Sequence, residues 1–231
     1  MALSIQQRQV GDIVVIACGG RIAEGPETAQ LDKHVAGLLP HQPFIVLNLA
    51  EVTFLDSSGL GLLVRLLTRT RRVGGGLVLC AVPPRVREIL KMTRLQTTLP
   101  SFATEADAIA AFYESAPSEN LRDFRTDILC VDSSADVLAY LRALLREAGY
   151  RVATAANIYD AHILIGVIEP RVLVVGAAIR ALAGTETTEA FRKQADQLGA
   201  IDLEPGFAGE DAGEAGQRLL ARIGTILQPR T

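Results

Sequence analysis

Short runs of apolar, often β-branched residues alternate with segments of helical periodicity along almost the whole chain. In the first half, the apolar runs are typical of buried strands and lie at residues 13–18, 44–49 and 77–82. The segments between and after them have apolar residues at helical spacing and lie at residues 26–39, 60–72, 84–94 and 105–113. This alternation predicts an α/β domain in which helices pack on a mixed sheet.

The second half repeats the alternation in a different order. We expect strands at residues 127–131, 151–155 and 171–175, and a weaker one at 200–203. Helical patterns separate or follow them at residues 135–148, 159–168, 187–198 and 215–227. Strand–helix–strand repeats with short turns predict a parallel sheet.

A small, polar stretch, SAPSEN at residues 115–120, lies between the two patterned halves and is the best candidate for a linker. The 231 residues then divide into halves of ordinary domain size. We predict a first domain at 1–115, a linker at 116–123 and a second domain at 124–231.

Charge and hydropathy exclude several classes of protein. The net charge is −3, with 11 basic against 11 acidic residues in 1–120 and 12 against 15 in 121–231. Neither half has the basic excess that direct nucleic-acid binding needs. The N-terminus has no signal-peptide pattern, and the most apolar long window, 161–184, is interrupted by Glu169, Pro170 and Arg171. We therefore expect a cytoplasmic protein that does not insert into a membrane.

Three cysteines, Cys18, Cys80 and Cys130, lie 62 and 50 residues apart with no CxxC pair. This spacing excludes a zinc ribbon and favours a reducing compartment. We interpret all three as small buried strand residues, and we expect neither a metal nor a cofactor.

The segment VTFLDSSGLGLL at residues 52–63 is the most informative one for function. A strand ends, Asp56-Ser57-Ser58-Gly59 turns the chain, and an apolar helix begins. The free N–H groups and the dipole of a helix N-terminus favour negative charge, so the fold would tolerate a phosphate on one of these serines. The alternative is ordinary N-capping by Asp56 or a serine, with Gly59 as a spacer.

Several segments in order, FIVLNLAEVTFLDSSGLGLLVRL and then GGGLVLCAVPPRVREILKMTRL, resemble the STAS domain of bacterial anti-sigma factor antagonists. The resemblance covers most of residues 4–114. It implies that Ser57 is phosphorylated by a partner that is both a serine kinase and an anti-sigma factor. Unphosphorylated antagonist binds that partner and frees the sigma factor. The implied partner-binding residues are Asp56, Ser57, Ser58, Gly59 and Leu60.

Two other functions remain alternatives: a STAS subunit of a membrane transporter or lipid-transport assembly, and a nucleotide-binding module. The nucleotide-binding interpretation is weakened because Gly59-Leu60-Gly61 lacks the third glycine of a dinucleotide fingerprint.

The sequence offers no combination of a nucleophile, a base and an orienting residue, so we expect that the protein is not an enzyme. Three histidines, His34, His41 and His162, lie far apart in the sequence, and we interpret them as solvated or helix-face residues rather than as ligands or bases. Arg65, Arg69 and Arg72 form a basic helical stripe, either a solvated face or a contact with an acidic partner.

In the second half, TDILCVDSSADVLAYLRALLREAGYRVATAANIYDAHILI and then PRVLVVG resemble a response-regulator receiver domain, which has a flavodoxin-like fold. Receivers hold Mg²⁺ with an acidic pair after the first strand and accept phosphate on an Asp after the third. Here only Asp132, followed by Ser133, stands at the first position, and Gly176 stands at the second. Asp202-Leu203-Glu204-Pro205 replaces the segment expected to carry a Lys.

The resemblance therefore implies a degenerate, shortened receiver-like domain that has lost the phosphoryl-transfer site. We expect it to act as an interaction module, with a homodimer through this domain as one form of assembly. Asp132 retains a role as a turn cap.

Overall fold

The structure is a computed structural model that describes residues 2–114, 126–204, 207 and 212–227. The chain divides into two compact units, residues 1–115 and 116–231. The predicted linker at 116–123 lies outside the described residues.

The first unit contains a five-stranded mixed sheet in the order β5-β4-β3-β2-β1. Its strands are β1 Ser4–Val10, β2 Ile13–Ile22, β3 Phe44–Leu55, β4 Gly76–Cys80 and β5 Ser101–Phe102. The β1–β2 pair is antiparallel, and β2–β3, β3–β4 and β4–β5 are parallel. The predicted mixed sheet with helices is therefore present.

Three helices pack on one face of this sheet: α1 Pro26–Leu38, α2 Ser57–Arg72 and α3 Pro84–Met92. Their buried residues, among them Leu31, Leu63 and Val86, share one apolar core with alternate strand residues such as Ile45 and Leu47. Helix α4, Glu105–Glu114, packs on the opposite face, where Phe112 meets Phe44 edge-on at 5.6 Å between ring centroids.

Strands are present where they were predicted at 13–18, 44–49 and 77–82, although the last one, β4, ends at Cys80. The first unit also contains strands β1 and β5, which we did not predict. The β1 sequence SIQQRQV is largely polar, and most of its residues are exposed or half-buried. Strand β3 also continues to Leu55, six residues beyond the predicted end. That extension pairs with β2 alone, since β4 pairs only with residues 44–48 of β3.

The second unit contains a parallel sheet in the order β7-β6-β8-β9. Its strands are β6 Ile128–Val131, β7 Val152–Ala155, β8 Val172–Val175 and β9 Ile201–Asp202. Its helices are α5 Ala135–Glu147, α6 Ile158–Ile168, α7 Ala177–Ala181, α8 Glu186–Gln197 and α9 Ala212–Leu227. The predicted parallel sheet is confirmed, whereas the short helix α7 was not predicted.

All three cysteines are free and buried, in β2, β4 and β6, as the sequence predicts. Burial raises the pKa of Cys18, Cys80 and Cys130 to about 12. These thiols are therefore protonated core residues near neutral pH. Within the part of the chain that the structure describes, no helix is long and apolar enough to cross a membrane.

Candidate functional site at the N-terminus of helix α2

Helix α2 begins at Ser57, three residues earlier than the sequence predicts, because Asp56 caps it. The carboxylate oxygen Oδ1 of Asp56 accepts a hydrogen bond from the N–H of Gly59 at 2.8 Å. The carbonyl of Asp56 accepts the N–H of Leu60 at 2.9 Å. Ser57 and Ser58 therefore occupy the first turn of the helix rather than a turn before it, and capping belongs to Asp56.

The second carboxylate oxygen of Asp56, Oδ2, accepts the backbone N–H of Glu24 at 2.9 Å. Glu24 follows β2, so one side chain joins the β2–α1 loop to the start of α2. The hydrogen bonds from Gly59 and then Glu24 lower the pKa of Asp56 below its ordinary value, and Arg21 contributes by charge attraction. Asp56 is accordingly a fixed anion at neutral pH.

Gly59 is more than the spacer of the capping alternative, because it is buried against strand β2. A Cβ atom on Gly59 would lie 2.2 Å from the carbonyl oxygen of Ile22 and 2.7 Å from Leu55 Cδ1. The same Ile22 carbonyl accepts the N–H of Asp56 at 3.4 Å. A residue without a side chain is therefore required for α2 to approach the sheet at this point.

The five residues expected to bind a partner differ in exposure. Ser57 is exposed and Asp56 and Ser58 are half-buried, whereas Gly59 and Leu60 are buried. Only the first three can present side-chain atoms to a partner in this conformation. Gly59 and Leu60 hold the turn against the core.

Two further residues, Arg21 and Glu24, lie beside Asp56 at the start of α2, and the sequence pattern did not indicate them as part of the site. Arg21 is exposed at the end of β2, and its guanidinium carbon lies 4.4 Å from the centroid of the Phe54 ring. The β2–β3 register places Arg21 directly opposite Phe54. That register depends on two irregularities in the pairing, after Ala17 and after Gly20, which the sequence alone does not reveal.

The predicted arginine stripe on α2 divides into residues with different surroundings. Arg69 forms an ion pair with Asp32 of α1 at 2.6 Å. Arg65 is exposed, and its Nη1 lies 3.4 Å from the position that a Cβ of Gly61 would occupy. Arg72 is exposed in the last turn, where a cation compensates the helix dipole.

In the second unit, Asp132 lies at the carboxyl end of β6, beside Gly176 at the end of β8. A Cβ on Gly176 would lie 1.9 Å from Oδ2 of Asp132. The other oxygen of Asp132 accepts the N–H of Ser134 at 2.7 Å, and Ser134 caps α5. Asp132 is thus the turn cap that we expected, and its carboxylate fills the space next to the glycine.

The described residues include no group of three or more His, Cys, Asp or Glu side chains that could hold a metal. Of the three histidines, His162 shares a hydrogen bond with Gln194 at 2.9 Å between Nδ1 and Oε1.

Residues 4–108 match the family model of the STAS domain. The first unit therefore carries a STAS domain, in agreement with the resemblance found in the sequence.

The relatives of this half include anti-sigma factor antagonists. BtrV of Bordetella bronchiseptica, a candidate anti-sigma factor antagonist, is 28% identical over 107 residues, which are 46% of this chain and 92% of that protein. An anti-sigma F factor antagonist of Paenibacillus polymyxa is 26% identical over 119 residues, 47% of this chain and 94% of that protein. A solved anti-sigma factor antagonist (STAS) domain protein of Planctomyces limnophilus is 29% identical, with a TM-score of 0.43 over 48% of this chain and 98% of that one.

Proposed function

We propose that this chain is an anti-sigma factor antagonist that acts by partner switching. Unphosphorylated, it binds an anti-sigma factor that is also a serine kinase, and phosphorylation of Ser57 ends that binding. The match of residues 4–108 to the STAS domain, together with antagonist relatives over the same half, carries the proposal. The exposed Ser57 beside the fixed anion Asp56 is the feature of the site that supports it.

In the proposed reaction, the partner supplies ATP and the catalytic groups, and this chain supplies the acceptor. The Oγ of Ser57 attacks the γ-phosphorus of ATP, ADP leaves, and the hydroxyl proton passes to a base on the partner. The chain itself is not an enzyme in this scheme, and it acts in the cytoplasm.

Phosphorylation changes this surface strongly because the positive end of α2 already holds an anion. Asp56 occupies the N–H of Gly59, so a phosphate on Ser57 adds about −1.5 to −2 charges beside an existing negative charge. If the surface is desolvated in the complex, like-charge repulsion and lost hydration would weaken binding by a few kcal/mol.

We also propose that the second unit is a degenerate receiver-like domain. Its parallel order β7-β6-β8-β9 agrees with the flavodoxin-like order 2-1-3-4, and Gly176 stands where a receiver has its acceptor. Without a carboxylate nucleophile, this unit would offer surfaces, including one for a second copy of the chain, rather than chemistry. Incubation of the full chain with acetyl phosphate and Mg²⁺ should leave its intact mass unchanged. An acid-stable, base-labile phosphoryl adduct on an Asp of this unit would contradict the proposal.

The direct test of the partner is capture of the full chain from native cells, followed by mass spectrometry of bound proteins and of phosphosites. We expect a serine kinase that also binds a sigma factor, and phosphate on Ser57 rather than Ser58. A stable complex with a membrane ATPase, with no phosphate on Ser57, would favour the transporter alternative. Label retained in full by Ser57→Ala after incubation with the kinase and ATP would contradict the assignment of the site.

A further inference from the structure

Arg65 lies on the outer surface of helix α2 and is directed back towards the first turn. Its Nη1 is 3.4 Å from the position of a Cβ on Gly61, four residues earlier. Side chains of a helix lean towards its N-terminus, and the missing side chain at Gly61 leaves room for the guanidinium there. Arg65 is the first basic residue of α2 after Ser57.

Ser57 is in turn the i,i+4 neighbour of Gly61. Cβ positions four residues apart in a helix lie about 5–6 Å from each other. The distance from Arg65 Nη1 to the Ser57 Cβ cannot exceed the sum of these two distances, which is roughly 9 Å. A phosphoserine side chain extending from Ser57, and rotation of the long arginine side chain, are together sufficient to bring the phosphate and the guanidinium into contact.

The other cations around this end of α2 have partners. Arg21 stacks on Phe54 and attracts the Asp56 carboxylate, and Arg69 is paired with Asp32. The N–H of Gly59 is already taken up by Asp56. Arg65 is exposed and belongs to none of the ion pairs among the residues that the structure describes, so its charge is available.

We propose that Arg65 is the intramolecular partner of a phosphate on Ser57. The inference rests on the proposed phosphorylation of Ser57 and adds a second component to the switch. Phosphorylation would remove a cation from the partner-facing surface as well as add an anion, because the phosphate takes up the Arg65 guanidinium. Arg65 is thus a positioning residue for the phosphate.

The test is a ³¹P NMR pH titration of the full chain with phosphoserine installed genetically at position 57. The titration uses neither a kinase nor an anti-sigma factor, so its outcome does not depend on whether the proposed partners are correct. The anions Asp56 and Glu24 disfavour the phosphate dianion, whereas Arg21 and a neighbouring Arg65 guanidinium favour it. The second pKa of the phosphate should therefore be lower in the wild type than in a variant without Arg65. Arg65→Gln should raise it by roughly 0.2–0.7 pH units, as for an exposed ion pair.

Two further variants separate contact from general charge. Arg72→Gln makes the same charge change at the far end of α2 and should leave the titration as in the wild type, because the charges are separated by more than the screening length. Gly61→Leu keeps Arg65 but fills the space under its guanidinium, and should raise the phosphate pKa as Arg65→Gln does. Absence of a rise in either Arg65→Gln or Gly61→Leu, or an equal rise in Arg72→Gln, would overturn the proposal.

Discussion

Gly59 and Ile22 meet so closely that no side chain fits between helix α2 and the end of strand β2. A Cβ on Gly59 would lie 2.2 Å from the Ile22 carbonyl oxygen, which is a backbone atom and cannot rotate away. The same carbonyl accepts the N–H of Asp56. The position of Ser57 at the surface thus depends on the contacts that Asp56 and Gly59, on either side of it in the chain, make with the Ile22 carbonyl.

Replacement of Gly59 by Ala should therefore destabilise the first unit. The added methyl must push α2 away from β2, and we expect a loss of about 2–3 kcal/mol in the free energy of unfolding. Urea denaturation measures it. Gly37→Ala is the matched control, because nothing lies within 4 Å of a Cβ there and alanine favours helix α1. Equal stability of Gly59→Ala and wild type would contradict the packing described here.

Asp56 links the β2–α1 loop to α2, and its contribution to stability should depend on pH. Its folded pKa is lowered by the N–H groups of Gly59 and Glu24, so the ionised cap stabilises the fold fully above the unfolded pKa, about 3.9. The stabilisation is lost as the pH falls through the lower, folded pKa. Asp56→Ala should cost about 1 kcal/mol near neutral pH and progressively less in acid.

Asp56→Asn is the matched control for that measurement. Its amide oxygen can still accept a hydrogen bond, but it carries no charge that titrates. Its difference in unfolding free energy from Asp56→Ala should stay constant with pH. If the difference between wild type and Asp56→Ala were equally constant between neutral pH and pH about 3, the ionised cap would not be the stabilising element.

Much of the fold could be predicted because its central strands contain continuous apolar runs, such as residues 13–18 and 172–175. Strand β1 could not be, since its SIQQRQV sequence has few buried side chains and owes its conformation to pairing with β2. At the site, the serines and the cap were visible as a local pattern. The loop contact from Glu24 and the stacking of Arg21 on Phe54 were not, because they depend on tertiary register across 32 and 33 residues of chain.

In the second unit, the pair Asp132 and Gly176 gives a prediction by double-mutant cycle. Gly176→Ala places a Cβ 1.9 Å from the Asp132 carboxylate, which must rotate and lose its hydrogen bond from Ser134. We expect a loss of about 1–3 kcal/mol in unfolding free energy. In an Asp132→Ala background the same substitution should cost less, because the obstructing oxygen is absent. Additive effects would show that the two side chains do not compete for one space.

The central claim is that the charge state of Ser57 controls binding to an anti-sigma factor. Isothermal titration calorimetry of the full chain with the captured anti-sigma factor tests it most directly. Wild type and Ser57→Ala should bind with the same affinity, whereas Ser57→Asp should bind about 10-fold or more weakly, because it adds a negative charge beside Asp56. Equal affinities for all three forms would contradict the account.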